Sequence, residues 1–200
     1  MKRLILLVLS LSFAGSLFAQ DVPAQVDNIK FNKLQNDWLE MEVKIRANAN
    51  TAPDARNARF VDNIKVLGYF GYVRDRKAKT FDFYKAEAEI ISIEQGKTEY
   101  VYFYMPGIVV KRDNLPKEPP YYFVALEVNG QVLPIDNRAY SKSTLNDDTI
   151  RSMKTKADAE SEPNDYILKP SYNAPLAIAN GARPDTKKMA PLIIREPKPE

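Results

Sequence analysis

From Trp38 to Ala47 the chain alternates without a break: Leu39, Met41, Val43, Ile45 and Ala47 are apolar, and Trp38, Glu40, Glu42, Lys44 and Arg46 stand between them. Successive side chains of a strand point to opposite faces, so this period of two marks a half-buried antiparallel strand. It places Val43 and Ile45 in a core and Glu42 and Lys44 outside. Such a strand cannot stand alone; its apolar face needs a second layer.

The rest of the segment 26–135 supplies candidates for that layer. Ile64 and Val66 open a strand that runs through Tyr69, Phe70, Tyr72 and Val73. A charged tip (RDRKAK, 74–79) follows. Phe81 to Ile93 is a long strand with Tyr84, Ala86, Ala88 and Ile90 on its apolar face, leaving Glu87 and Glu89 outward. Glu94-Gln95-Gly96-Lys97 reads as a hairpin turn into a strand from Tyr100 to Met105. Asp113 to Pro120 is a proline-rich loop, and ANTAPDARNA (49–58) is another. Tyr121 to Val128, Asn129-Gly130 and Gln131 to Ile135 form the strongest hairpin signal. About seven short strands with turns between them predict a mainly β fold: an antiparallel β-sandwich of immunoglobulin-like type, with an eight-stranded barrel as the alternative.

Beyond the strands, Ser143 to Ala157 is the one helix candidate, with Thr144 as cap and Leu145, Thr149 and Met153 as an apolar stripe. Seven of the 14 prolines lie between 163 and 200, which predicts an extended, largely unpacked tail. Met1 to Ala19 has a basic start (Lys2, Arg3) and an apolar run, Leu4 to Leu11, too short to span a bilayer. That is the pattern of a secretory signal peptide cut after Ala19, with Ala24 as a second possible site. The expected organisation is thus a signal peptide at 1–19, a β-sandwich at 20–140, a helix-containing extension at 141–162 and a proline-rich extended tail at 163–200. The implied location is the periplasm, the outer membrane or the cell surface.

The chain has no cysteine and no histidine. Disulfides, thiol nucleophiles, histidine bases and histidine-ligated metals are therefore excluded. The segment 20–140 holds 17 basic and 17 acidic residues, so no overall field draws nucleic acid to it. No carboxylate pair is placed for glycosidase work and no calcium-loop spacing occurs. The sequence offers no catalytic, cofactor or metal residues, and an enzyme is not expected.

Three groups are candidates for binding. Tyr100, Tyr102 and Tyr104 share one strand face while Val101, Phe103 and Met105 fill the other. The tyrosines are either a platform for sugar rings or a partner, or a ladder that needs some other cover. Arg74, Arg76, Lys77 and Lys79 crowd one hairpin tip, which suits an acidic glycan or protein. In the tail, Ala174-Pro175-Leu176-Ala177-Ile178 recurs as Ala190-Pro191-Leu192-Ile193-Ile194. These apolar patches can add to a sheet edge, either the chain's own or a neighbour's.

Three stretches, Trp38-Leu39-Glu40-Met41-Glu42-Val43, Arg59-Phe60-Val61-Asp62-Asn63-Ile64 and Tyr102-Phe103-Tyr104-Met105-Pro106, resemble small secreted proteins of verrucomicrobial outer-membrane gene clusters that also hold type IV pilus genes. The resemblance spans about 20 to 160. It implies an immunoglobulin-like fold and a pilus-associated or cell-surface role. The expected function is a non-enzymatic exported module acting through protein contacts with envelope or pilus proteins, or by self-association. The alternative is a glycan-binding adhesion module using the tyrosine face.

Overall fold

The structure is a computed structural model describing residues 22–50, 55–75, 77–78, 80–141, 147–159, 164–179 and 194–195. The expected signal peptide lies outside them. Among the described residues, nine strands form two antiparallel sheets. One has the order β1-β2-β5-β8, from β1 (Ala24–Lys33), β2 (Leu39–Ala47), β5 (Thr98–Met105) and β8 (Lys169–Pro170). The other has the order β7-β6-β3-β4-β9, from β7 (Gln131–Val132), β6 (Tyr121–Val128), β3 (Phe60–Asp75), β4 (Thr80–Glu94) and β9 (Ile194–Arg195). The first, second and fifth strands thus share a sheet, as do the third, sixth and seventh, which is the immunoglobulin-like arrangement. β4 stays beside β3 because a long hairpin joins them. The expected β-sandwich is what forms, and not a closed barrel.

The inner faces follow the alternation. Met41, Val43 and Ile45 of β2 and Val101, Phe103 and Met105 of β5 are buried against Ile64, Val66 and Phe70 of β3, Tyr84, Ala88 and Ile90 of β4 and Val124 and Leu126 of β6. The Asn129-Gly130 hairpin is as expected, with φ of 50° and 81°. The expected hairpin at 94–97 is not a hairpin. The chain turns there, with the Lys97 N–H donating to the Glu94 carbonyl, but β4 and β5 belong to different sheets. Both have an apolar inner face, and crossing the core lets each face the other. Gly96 N–H and Lys97 carbonyl instead bond Ala47 at the end of β2.

Among the described residues, three α-helical segments sit outside the sheets: α1 (Gly107–Arg112), α2 (Asp147–Ala157) and the single turn α3 (Leu176–Ala179). The strand-like composition of α1 (GIVVKR) hides it from a pattern reading. Its position is set by contact: a Cβ on Gly107 would lie 1.9 Å from the Asn36 carbonyl oxygen, so only glycine admits the 3-10 turn at Gln35–Asp37. The helix α2 matches the sequence expectation in type and C-terminal end. Its start places the expected cap, Thr144, and Leu145 outside the described residues. Its buried stripe is Ile150, Met153 and Ala157.

The outward set of β2 needs one correction. Lys44 is half-buried, and Glu42 is only 7% exposed. It stands in a cross-strand row between Lys30 of β1 and Tyr102 of β5, on a face that is covered. The core register itself is testable. Val43 is fully buried, so Val43→Asp puts an unpaired charge between the sheets and should cost about 4 kcal/mol or more. A thermal melt that matches the parent would refute the register.

Candidate interaction surfaces

Both outer sheet faces carry aromatic residues, and the chain covers both. On the β3 sheet, Tyr69 and Phe123 stack at 4.3 Å, and Ile150, Met153 and Ala157 of α2 lie on them. On the β2 sheet, Tyr100, Tyr102 and Tyr104 form a ladder with 6.4 Å between successive rings. Their cover is Ile178 of α3 with Ala174, Leu34 and Trp38. Tyr104 is 1% exposed. Its pKa is raised by burial and then by the adjacent Glu40 carboxylate. The three tyrosines are therefore a covered ladder, with Tyr100 half-buried, and not a free platform for sugars.

The cover is drawn from the expected tail, and the segment 164–179 corrects that expectation of an unpacked arm. The Asn164 side chain is buried and donates to Asp82 Oδ1 at 3.2 Å. Leu168 is 2% exposed and belongs to the core between the sheets. Lys169 and Pro170 pair with Tyr104 and Phe103 of β5. Tyr172 then donates from its hydroxyl to the Glu87 carbonyl of β4 at 2.9 Å. This segment thus bridges one sheet edge to the other. Further on, Ile194 and Arg195 pair with Ile90 and Glu89 on the β4 edge. Of the two Ala-Pro-Leu repeats, the first seats Ile178 on the tyrosine ladder, with Pro175 exposed. In the second, Pro191, Leu192 and Ile193 lie outside the described residues.

Arg74 is engaged by the Asp82 carboxylate, which its Nε reaches at 2.9 Å. Lys77 is exposed. Arg76 and Lys79 lie outside the described residues.

Two features were not legible beforehand. The first is Asp27, at the bulge in β1 between Val26 and Asn28. Its carboxylate, 9% exposed, meets Arg46 at 2.9 Å, Lys44 at 3.3 Å and Arg138 at 3.5 Å. Arg138 belongs to the connection after β7, so Asp27 ties the two sheets together on their open side. Burial acts to raise the Asp27 pKa, but the hydrogen bonds from Arg46 and Lys44 outweigh it and hold the carboxyl below its usual 3.8.

The second is a groove of about 440 Å³ between α2 and the end of the β3 sheet. Phe81, Phe83 and Tyr121 line it with Met153 and Lys156. Phe81 lies 5.9 Å from Phe83 and 5.6 Å from Tyr121. Its floor lies low because Gly71 stands between Phe83 and Tyr121 in the ladder. A Cβ there would lie 3.2 Å from Tyr121 Cβ and 3.4 Å from Met153 Cε. The alternation of Phe81 and Phe83 was the available signal; what it faces depends on α2.

Two predictions follow from these contacts. Ending the chain at Pro163 removes Leu168 and Ile178 and uncovers Tyr102 and Tyr104. The lost burial is about 4 kcal/mol, so the melting temperature should fall by about 10 °C, and the protein should aggregate. Ending it after Asn180 keeps these side chains and should leave the melt nearly unchanged. Calorimetry of both truncations checks this. For Asp27, a carboxyl with a depressed folded pKa stabilises above its unfolded pKa and loses that contribution as pH falls through the folded one. Asp27→Asn should therefore cost about 2 kcal/mol at neutral pH, with the gap to the parent closing as the pH falls below the usual carboxylate range. Denaturation midpoints across pH 2–7 measure that gap.

No protein-family model matches the sequence, and no curated protein matches it. In structure the chain is similar to a protein from Akkermansia muciniphila known from its crystal structure, with a TM-score of 0.58 and 15% identity over 88% of this chain and 94% of that one. At that identity the likeness shows the fold. Its source is one of the Verrucomicrobia, the phylum to which the sequence resemblance points.

Proposed function

We propose that the protein is an exported, non-enzymatic β-sandwich module that works by protein–protein contact in a cell-envelope or pilus-associated assembly. The observation that carries this reading is the C-terminal arm. β8 and β9 add to β5 and β4, the edge strands of the two sheets on one side of the sandwich. A strand edge accepts any extended segment with free backbone groups, so these are also the edges to which a partner would add. Among the described residues β9 pairs with β4 through Ile194 and Arg195, and an incoming partner strand would compete for the same edge.

Other observations agree. The leader-like start is suited to export, and among the described residues no helix is long and apolar enough to cross a membrane. The lack of histidine and cysteine removes the commonest catalytic groups. The verrucomicrobial resemblance supplies the envelope and pilus context by likeness, and the Akkermansia structure supplies the fold alone.

The test uses the native envelope. The full chain and a form ending at Asn180 are expressed with their leader, and the fractions are cross-linked. The expected result is a mature N-terminus at Gln20 and a defined cross-linked complex that the shortened form loses while melting like the parent. Retention of the leader in the cytoplasm would overturn the export reading. An identical cross-linking pattern for both forms would overturn the role of the arm.

A further inference from the structure

We propose that a second copy of this chain docks on the α2 side of the sandwich, with its Tyr166 entering the groove of Phe81, Phe83 and Tyr121. This goes beyond the role given to the arm, since neither the β4 nor the β5 edge takes part.

Tyr166 is the most exposed large apolar side chain among the described residues, at 84%. Its φ is +59°, a left-handed backbone that a bulky residue adopts only where its surroundings impose it. The neighbours impose it here. Asn164 is held by Asp82 on one side, and Leu168 is locked in the core on the other. The ring is thus presented to solvent from anchored backbone, which lowers the entropy cost of using it as a contact.

The groove suits that ring. It is apolar at its base, lined by aromatic rings that stack or meet edge-on with a phenol. Its rim is basic: Lys156 is exposed with its ammonium 5.8 Å from the Phe83 ring, and Lys77 stands on the hairpin beyond Phe81. Asp148 is also on the rim, 3.7 Å from Arg151. The surround of Tyr166 is net acidic: Asp165 stands beside it, and Glu87 and Asp158 line its cleft against Lys85 and Lys169. The charges therefore match between copies of the same chain.

The placement also explains how such an interface closes. Thr149, Ser152, Met153 and Lys156 of α2 border the groove, whereas Ala157 and Asp158 border the cleft that holds Tyr166. Knob and groove thus lie along one helix on one side of the molecule. A two-fold axis seats both tyrosines reciprocally and yields a closed dimer rather than a fibre.

The full mature chain is examined by sedimentation equilibrium up to about 1 mM. A dimer is expected, and Tyr166→Ser should weaken it about tenfold or more while melting like the parent. Lys156→Glu should weaken it as well, and adding Asp165→Lys should recover it. Because the chain has no cysteine, mixing a Tyr166→Cys form with a Ser152→Cys form should give a disulfide-linked pair on oxidation. A monomer at every concentration, a dimer unaffected by Tyr166→Ser, no recovery in the charge swap, or no linked pair would each overturn the proposal.

Discussion

The structure depends on the burial of aromatic side chains on both faces of its central strands. In β3, Phe70 and Tyr72 point between the sheets while Tyr69 points outward, and all are buried. In β5, Phe103 fills the core while Tyr102 and Tyr104 fill the opposite face. A two-layer sandwich leaves such outer faces in water, at a cost of about 2 kcal/mol for each large side chain. The fold answers with two more layers: α2 over the β3 sheet and the segment 169–178 over the β2 sheet. Helix and C-terminal segment are therefore part of the core and not appendages to it.

The edges are handled by different means. β1 ends one sheet with a bulge at Asp27 and exposed Asn28, Lys30 and Lys33, which discourage pairing with another chain. Beyond β7, the chain leaves β6 at Pro134 and returns at Ala139, where Val124 donates to the Ala139 carbonyl. Only β4 and β5 are covered by added strands. Strand addition is sequence-tolerant, because its hydrogen bonds come from the backbone.

Three carboxylates act as ties between elements. Asp82 joins the β3–β4 hairpin to the start of the C-terminal segment through Arg74 and Asn164. Asp158 receives Lys85 of β4, Lys154 of α2 and the Tyr69 hydroxyl. Asp27 joins β1, β2 and the connection after β7. Each lies where two layers or two sheets meet, and each is matched by a cation, as charges taken out of water require.

Local pattern was enough for much of this fold. Alternation in 39–47 and 121–128 marks which residues share a strand face, and Asn129-Gly130 has the backbone freedom its turn needs. Those properties are set by neighbours in sequence. The same pattern placed Tyr100, Tyr102 and Tyr104 on one face and showed that the face needed a cover. It did not show which cover, because Ile178 meets those rings only after the chain has passed from β5 to the other sheet and back. Glu42 reads as a solvent residue for the same reason: alternation assigns a direction, and burial depends on what packs there. α1 has the β-branched composition of a strand and is a helix because Pro106 and the contact at Gly107 leave no room for one. The sequence by itself determined the strands β2 to β7, the inner faces of the long ones and the exclusion of histidine and cysteine chemistry, and left β1, β8 and β9 unread. The tertiary structure decided which strands share a sheet, what covers their outer faces and where the arm ends, because these rest on contacts between residues far apart in the chain.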